Sequence, residues 1–279
     1  MKNVGFYNGR WEPLEKLFVP ALDRAFYFGD GIYDAAYTKN KIIFAENEHV
    51  TRFFRGLEKI GIRLPYTQEE VTALLQLGVG LCDEDDLFVY FQASCGTSVR
   101  CHADREGKGN LLIMIYPKKI APKEKTLRVC TVSDTRYALC DVKTLNLMPN
   151  VLAAQEAEGM GCDEAIFVRD GEVTECAHSN VHILTGGILL SPPPCYCTLD
   201  GIGRRHLISA CEKLSVPVVE RRFSPEEMKG ADEIIVTSAG YPCQRVVECD
   251  KAPCGQKGGR LFDAISDVVY REIEEETRK

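Results

Sequence analysis

Residues 47–60 place Val50, Phe53, Phe54, Leu57 and Ile60 at the three- and four-residue spacing of one helical face. Thr67-Gln-Glu-Glu70 has the form of a capping box and predicts a second helix running through Leu81. Two short apolar runs rich in β-formers follow, Leu87–Gln92 and Leu111–Tyr116, with a polar loop over 95–109 between them. Pro117-Lys-Lys-Ile-Ala-Pro122 then breaks the pattern with two prolines and two charges, so it is read as an interdomain linker. Beyond it the pattern predicts a strand at Thr126–Val132, a helix at Pro149–Gly159 and a β-meander over Asp163–Arg169, Glu172–Glu175 and Val181–Leu184. Gly201–Leu214 returns to helical spacing, Ser224-Pro225 opens another helix, and Glu233–Ser238 is a strand. Leu261–Glu276 closes the chain as an amphipathic helix with Phe262, Ile265, Val268, Val269 and Ile273 on one face. No internal repeat is present. The expectation is an α/β (α+β) protein with an N-terminal α/β domain over 1–116, a linker at 117–122 and a C-terminal domain over 123–279.

Composition narrows the function classes. A chain of 279 residues with a net charge of −7 carries no basic stripe that could track phosphates, so a nucleic-acid partner is not expected. The N-terminal segment lacks a signal-peptide core and no apolar run approaches membrane-spanning length, so a cytoplasmic protein is expected. The 13 cysteines are scattered, odd in number and contain no Cys-x-x-Cys pair. That fits neither a zinc site nor a disulfide framework, and they read as small hydrophobic side chains in a reducing compartment. Cys195-Tyr-Cys197, beside a triple proline, reads as loop.

Two segments carry candidate chemistry. Lys143 lies between Val142 and the Leu145 and Leu147 side chains, a setting that desolvates an amine and frees it to attack an aldehyde. Glu175 ends an alternating strand, a place from which a carboxylate faces inward. A lysine that can form a Schiff base and a carboxylate that can hold a pyridine nitrogen protonated are what an enzyme using pyridoxal phosphate (PLP) needs. Taken singly, each would pass for a surface residue. A phosphate requires cationic and backbone donors: Arg52 on the first predicted helix supplies the one, and Gly201-Ile-Gly-Arg204 and Thr237-Ser238-Ala-Gly240 offer the other.

In order along the chain, Phe28-Gly-Asp-Gly-Ile-Tyr33, Glu48-His-Val-Thr-Arg52, the Lys143 segment followed by Asn150-Val-Leu-Ala-Ala-Gln-Glu156, Thr174-Glu175 through Asn180, Gly201-Ile202 and Val236-Thr237-Ser238 resemble the class IV aminotransferases of the fold-type IV PLP enzymes. That group holds branched-chain aminotransferases, D-amino acid aminotransferases and aminodeoxychorismate lyase. The resemblance covers nearly the whole chain. It implies two domains, the larger C-terminal one with a β-barrel-like core, PLP between them, and a homodimer whose site borrows residues from the neighbour. It implies that Lys143 is the Schiff-base lysine and Glu175 the partner of the pyridine nitrogen. Arg52 and the amides of Ile202 and Gly203 become the phosphate cradle, with Ser179, Leu199, Ser238 and Ala239 as further cofactor contacts.

Substrate class turns on the carboxylate trap. Arg100-Cys-His102 resembles the Arg-x-His element of D-amino acid aminotransferases, in which that loop and a tyrosine matching Tyr33 bind the α-carboxylate. A guanidinium fork and an imidazole suit a planar carboxylate. The expected activity is transamination of D-amino acids, D-alanine and D-glutamate, with 2-oxo acids. The alternatives are an L-branched-chain aminotransferase, an aminodeoxychorismate lyase, or a dimeric binding protein without catalysis. Several positions depart from the family pattern: Gly203 in place of a threonine, Ala239 in place of a hydroxyl residue, His178 in place of a small hydroxyl residue, Asp34 where glutamate is commoner, and Tyr241-Pro-Cys-Gln after Ser238.

Overall fold

Leu87-Phe-Val-Tyr-Phe-Gln-Ala-Ser94 folds as a strand in which Leu87, Val89, Phe91 and Ala93 are fully buried and Phe88, Tyr90 and Gln92 are half-exposed. That is the two-residue period of the pleat. Its antiparallel partner, Asn110–Pro117, sets Ile115, Ile113 and Leu111 opposite Val89, Phe91 and Ala93. The two buried rows therefore coincide and make one continuous apolar face. The computed structural model describes residues 1–103, 105 and 107–279.

The chain forms two compact units, Met1–Ile120 with Val142–Asn146 and Glu275–Lys279, and Ala121–Asp141 with Leu147–Glu274. A single cut at 117–122 would leave Val142–Asn146 and Glu275–Lys279 with the second unit. Hydrogen bonds join them to the first: Tyr33 N–H donates to Lys143 O at 2.9 Å and Ala45 N–H to Glu276 Oε1 at 2.7 Å.

The first unit contains β1 (Val4–Tyr7), β2 (Arg10–Glu12), α1 (Arg24–Phe28), β3 (Gly31–Lys39), β4 (Ile42–Ile43), α2 (Glu46–Ile60), α3 (Gln68–Leu81), β5 (Leu87–Ser94) and β6 (Asn110–Pro117). Its sheet runs β2-β1-β6-β5-β3-β4, and every pairing in it is antiparallel. Val50, Phe53 and Leu57 of α2 and Val71, Leu75 and Val79 of α3 bury against that apolar face. The expected capping box is present at the start of α3: Thr67 Oγ1 accepts from Glu70 N–H, and the Glu70 carboxylate accepts from Thr67 N–H.

The second unit holds β7 (Thr126–Ser133), α4 (Met148–Gly159), β8 (Glu164–Arg169), β9 (Glu172–Cys176), β10 (Asn180–Thr185), β11 (Ile188–Ser191), α5 (Ile202–Lys213), β12 (Val218–Glu220), α6 (Pro225–Gly230), β13 (Glu233–Thr237), β14 (Gln244–Cys249), β15 (Ala252–Pro253) and most of α7 (Gly259–Glu276). The strand order is β12-β11-β10-β13-β14-β7-β8-β9, with β15 beside β14. β9 and β10 stand five positions apart in that order, yet only residues 177–179 connect them. Five spacings would span roughly 24 Å in a flat sheet, whereas so short a connection reaches about 14 Å. The sheet must curl, and the expected barrel-like core is this curled half-barrel.

Two parallel pairs carry the connections that matter for function. β7 crosses to β8 through α4, and β11 crosses to β12 through α5. The segment with Lys143 leaves the carboxyl end of β7, and the triple proline with Cys195 and Cys197 leaves the carboxyl end of β11. Nine of the cysteines are buried, as expected of small core side chains, and none is disulfide-bonded. Among the described residues no helix is long and apolar enough to cross a membrane.

The packing of α3 gives a stability test. A Cβ at Gly78 would sit 2.4 Å from Trp11 Cη2 and 2.6 Å from Ile115 Cδ1, whereas Gly80 on the same helix faces open space. Helix propensity alone would make alanine stabilising at both, by up to about 1 kcal/mol. Overpacking should reverse the sign at Gly78, so Gly78→Ala is expected to lose about 1–3 kcal/mol and Gly80→Ala to gain a few tenths, as measured by urea denaturation.

Candidate active site

Lys143 is positioned by β3. Its carbonyl accepts from Tyr33 N–H, Leu145 N–H donates to Gly31 O at 3.1 Å, and Ile32 bridges Thr144. The approach requires a glycine at 31, since a Cβ there would lie 2.4 Å from Ala93 O and 2.6 Å from a Leu145 methyl. Val142 is buried in the core beneath the sheet, so the segment is pinned one residue before the lysine. The Lys143 side chain is half-exposed, with Nζ 4.4 Å from the centroid of the Tyr33 ring, which in turn stacks on Tyr90 at 5.4 Å.

Next to Tyr33 in sequence, Asp34 is fully buried and organises the start of α2. His49 Nδ1 lies 2.7 Å from its Oδ1, and Arg52 grips both carboxylate oxygens, Nε at 2.8 Å and Nη2 at 2.7 Å. His49 and Arg52 sit three residues apart on one helical face, which lets a single carboxylate engage both. Burial alone would push the Asp34 carboxyl up, but Arg52 and His49 outweigh it and hold the group well below the usual carboxylate range. Burial, only partly offset by Asp34, pushes the His49 imidazole down, so it is neutral and donates Nδ1–H to the carboxylate. The plane of the Arg52 guanidinium is thereby fixed.

Arg100 and His102 are exposed and rest on Phe28, the guanidinium 4.9 Å and the imidazole 4.6 Å from the ring centroid. Their loop is anchored by the buried Arg24, which donates to Cys101 O at 2.7 Å and His102 O at 3.4 Å and pairs with Asp30 at 2.8 Å. The three residues of the expected carboxylate trap thus have different neighbours: Tyr33 lies with Lys143 and Tyr90, and the Arg-x-His pair lies with Phe28.

In the second unit, Glu175 is a buried carboxylate surrounded by donors. Oε1 accepts from Arg136 Nη1, and Oε2 accepts from Leu199 N–H at 2.9 Å and Asn180 Nδ2 at 3.2 Å. Arg136 is itself buried, forked on Asp134 at 2.9 Å through Nε and Nη2, and donates to Cys197 O at 2.9 Å. Burial opposes its charge, but Asp134 and Glu175 raise its pKa above the usual arginine value. Asn180 also donates to Leu199 O at 3.0 Å and leaves no room at residue 201, where a Cβ would lie 1.9 Å from its Oδ1. Gly201 is therefore obligatory. Arg136 and Asp134 stand in no motif of the sequence, although Asp-x-Arg directly after a strand is a usable signal.

Gly201 is also the N-cap of α5, and no side chain caps the helix, so the first-turn amides of Ile202 and Gly203 are presented to an anion. Gly203 is explained by closeness: a Cβ there would lie 3.2 Å from both the N and the O of Ser238. A threonine would have to displace the end of β13. Ser238 N–H donates to Tyr241 O at 2.7 Å and Tyr241 N–H donates to Ser238 Oγ at 3.1 Å, a turn that does not use the hydroxyl hydrogen of Ser238. Ala239 can offer only backbone. Below this turn Thr237 Oγ1 bonds His182 Nε2 at 2.9 Å, and His182 Nδ1 meets Ser191 Oγ at 3.0 Å. Burial, aided by Arg204, pushes the His182 imidazole down to about 3, so it joins β10, β11 and β13 as a neutral link.

Ser179, expected as a cofactor contact, donates its hydroxyl to the buried Glu164 at 2.8 Å, and His178 Nδ1 lies 3.0 Å from the same oxygen. The structure thus groups Lys143, Tyr33, Asp34, His49 and Arg52 in one cluster, and Glu175, Leu199, Gly201–Gly203 and Ser238 in another. Ser179 belongs to the Glu164 pair.

The model of the family described as amino-transferase class IV matches residues 31–249. A D-alanine aminotransferase of Bacillus licheniformis is 30% identical over 277 residues, covering 98% of each chain. Among solved structures, a branched-chain aminotransferase of Thermoproteus uzoniensis with norvaline superposes with a TM-score of 0.90 at 23% identity, over 99% of this chain and 96% of that one. A branched-chain amino acid aminotransferase from Escherichia coli gives 0.88 at 19% identity, over 100% and 97%. With the family model matched over 31–249 and a relative 30% identical along nearly the whole chain, the chain belongs to the class IV aminotransferases, a family of PLP-dependent enzymes.

Proposed function

We propose that this aminotransferase acts on D-amino acids, D-alanine and D-glutamate foremost, with 2-oxo acids such as pyruvate or 2-oxoglutarate as acceptors. The observation that carries this reading is the Arg100-Cys-His102 loop, which the buried Arg24 anchors while both side chains remain exposed. The relative of Bacillus licheniformis, named a D-alanine aminotransferase and matched end to end, supports it. Exposure of Arg100 and His102, together with the exposed apolar side chains Phe18 and Phe26, supports a homodimer that completes the trap. A cytoplasmic setting, in which the thiols stay reduced, belongs to the same proposal.

The donor set fits PLP, which would be held by Lys143, by Glu175 at its ring nitrogen, and at its phosphate by Arg52, the amides of Ile202 and Gly203 and the hydroxyl of Ser238. When bound, the cofactor supplies an electron sink for the charge left when the substrate loses its α-proton. The rest is done by the chain. Lys143 Nζ takes the proton from the substrate α-carbon and carries it, its backbone fixed by the pairing with β3. Glu175, oriented by Arg136, Asn180 and Leu199, holds a proton on the ring nitrogen. Asp34 orients Arg52, so the guanidinium meets a phosphate without reorganising. Tyr33, Arg100 and His102 bind the substrate carboxylate and set which face of the α-carbon meets Lys143.

Lys143→Ala is expected to lose the visible band of the lysine-bound cofactor and at least about a thousandfold in turnover; borohydride reduction followed by peptide mapping places the adduct on Lys143 in the parent enzyme. Arg100→Ala is expected to reduce kcat/KM for D-alanine by about 10- to 100-fold, chiefly through KM, as the loss of a charge-assisted contact predicts. Chirality is the direct test of substrate class. Stopped-flow spectra should show bleaching of the band by D-alanine, and bleaching by L-leucine alone would reject the assignment in favour of a branched-chain enzyme.

A further inference from the structure

Cys195 and Cys197 are brought together by a tight turn. Cys195 N–H donates to Thr198 O at 3.0 Å and Thr198 N–H to Cys195 O at 2.9 Å, closing the turn after the three prolines. The two sulfurs lie 3.3 Å apart, and Arg222 Nη2 reaches both, 3.2 Å from Cys195 Sγ and 3.0 Å from Cys197 Sγ. Cys195 is partly exposed and Cys197 buried.

A thiol beside a guanidinium with a second thiol behind it is a reactive constellation. Burial works against ionising Cys195, but the Cys197 backbone and Arg222 outweigh it and bring the thiol below the ordinary cysteine range. Cys197, which is buried and faces Cys195, is pushed the other way. Cys130 and Cys162 make an instructive contrast: they also adjoin, but both are buried, and burial pushes the Cys130 thiol up to about 12.

We propose that Cys195 and Cys197 are a modification site, a hydroperoxide-reactive dithiol that closes to a disulfide and slows turnover by shifting the turn that holds Glu175. The sulfur of the Cys195 thiolate attacks one oxygen of hydrogen peroxide; the S–O bond forms, the O–O bond breaks, and hydroxide leaves, taking a proton to become water. Cys195, now a sulfenic acid, has given up two electrons. Cys197 sulfur then attacks it, the S–S bond forms, the S–O bond breaks, and the Cys197 proton leaves with the hydroxyl as a second water. The sulfurs must approach from 3.3 Å to about 2.05 Å. The same short turn carries Cys197 O, the acceptor of Arg136, and leads to Leu199 N–H, a donor to Glu175. Closing the ring thus disturbs two of the contacts that fix the carboxylate.

The effect on turnover rests on the role proposed for Glu175, whereas the disulfide itself does not. Reduced holoenzyme is treated with hydrogen peroxide and digested without reductant. The expected product is a peptide linking Cys195 to Cys197, two hydrogens lighter than the reduced form. Turnover should fall by about tenfold, the size of one lost buried contact, and return with dithiothreitol. Cys197→Ser should instead accumulate a dimedone-trappable sulfenic acid on Cys195, Arg222→Gln should slow its formation, and Cys195→Ser should keep its turnover under peroxide. Oxidation confined to other thiols such as the exposed Cys101, or equal loss of turnover in Cys195→Ser and the parent enzyme, would overturn the proposal. Because the linkage is read by mass, its absence is distinguishable from a failure of the substrate assignment.

Discussion

A carboxylate buried beside an arginine is the interaction on which the second unit's functional cluster depends. Glu175 loses most of its water at the end of β9, a penalty of several kcal/mol for a lone ion. Arg136 Nη1, Asn180 Nδ2 and Leu199 N–H replace that water with fixed donors. Each donor is held in turn, Arg136 by Asp134 and the Cys197 carbonyl, Asn180 by the Leu199 carbonyl. The absence of a side chain at Gly201 is part of the same arrangement, since any Cβ there would collide with Asn180.

The first unit repeats the physics with different residues. Asp34 is wholly buried and compensated by Arg52 and His49, and it holds an arginine where Arg136 holds a carboxylate. Arg52 is thus held as a fixed plane rather than as a long flexible cation. Lys143 is handled differently. Its backbone is tied to β3 and its neighbour Val142 to the core, while its amine rests against the face of Tyr33.

Much of this was legible along the chain. The two longer helices of the first unit, the capping box at Thr67 and the strands from Leu87 and Leu111 follow from local periodicity and turn chemistry, and the structure contains them. Lys143 and Glu175 stood out because an ordered series of motifs flanked them. What escaped has a common cause, namely pairing between residues far apart in sequence. The curl of the large sheet follows from strand order, which no local pattern encodes. Arg136 reads as one more charged residue in a loop until β9 brings Glu175 to it. Cys195 and Cys197 read as loop thiols until Arg222, 25 residues beyond Cys197, closes over them. The bond from Ser179 to Glu164, 15 residues away, is hidden for the same reason.

The central claim is that Glu175 is an anion that keeps a proton on the ring nitrogen of the cofactor. Nitrogen NMR of the enzyme reconstituted with ring-nitrogen-labelled PLP measures this directly. The account predicts a protonated ring nitrogen throughout the neutral pH range, lost in Glu175→Gln. A neutral, unprotonated nitrogen in the parent enzyme, or a signal indifferent to that substitution, would contradict it.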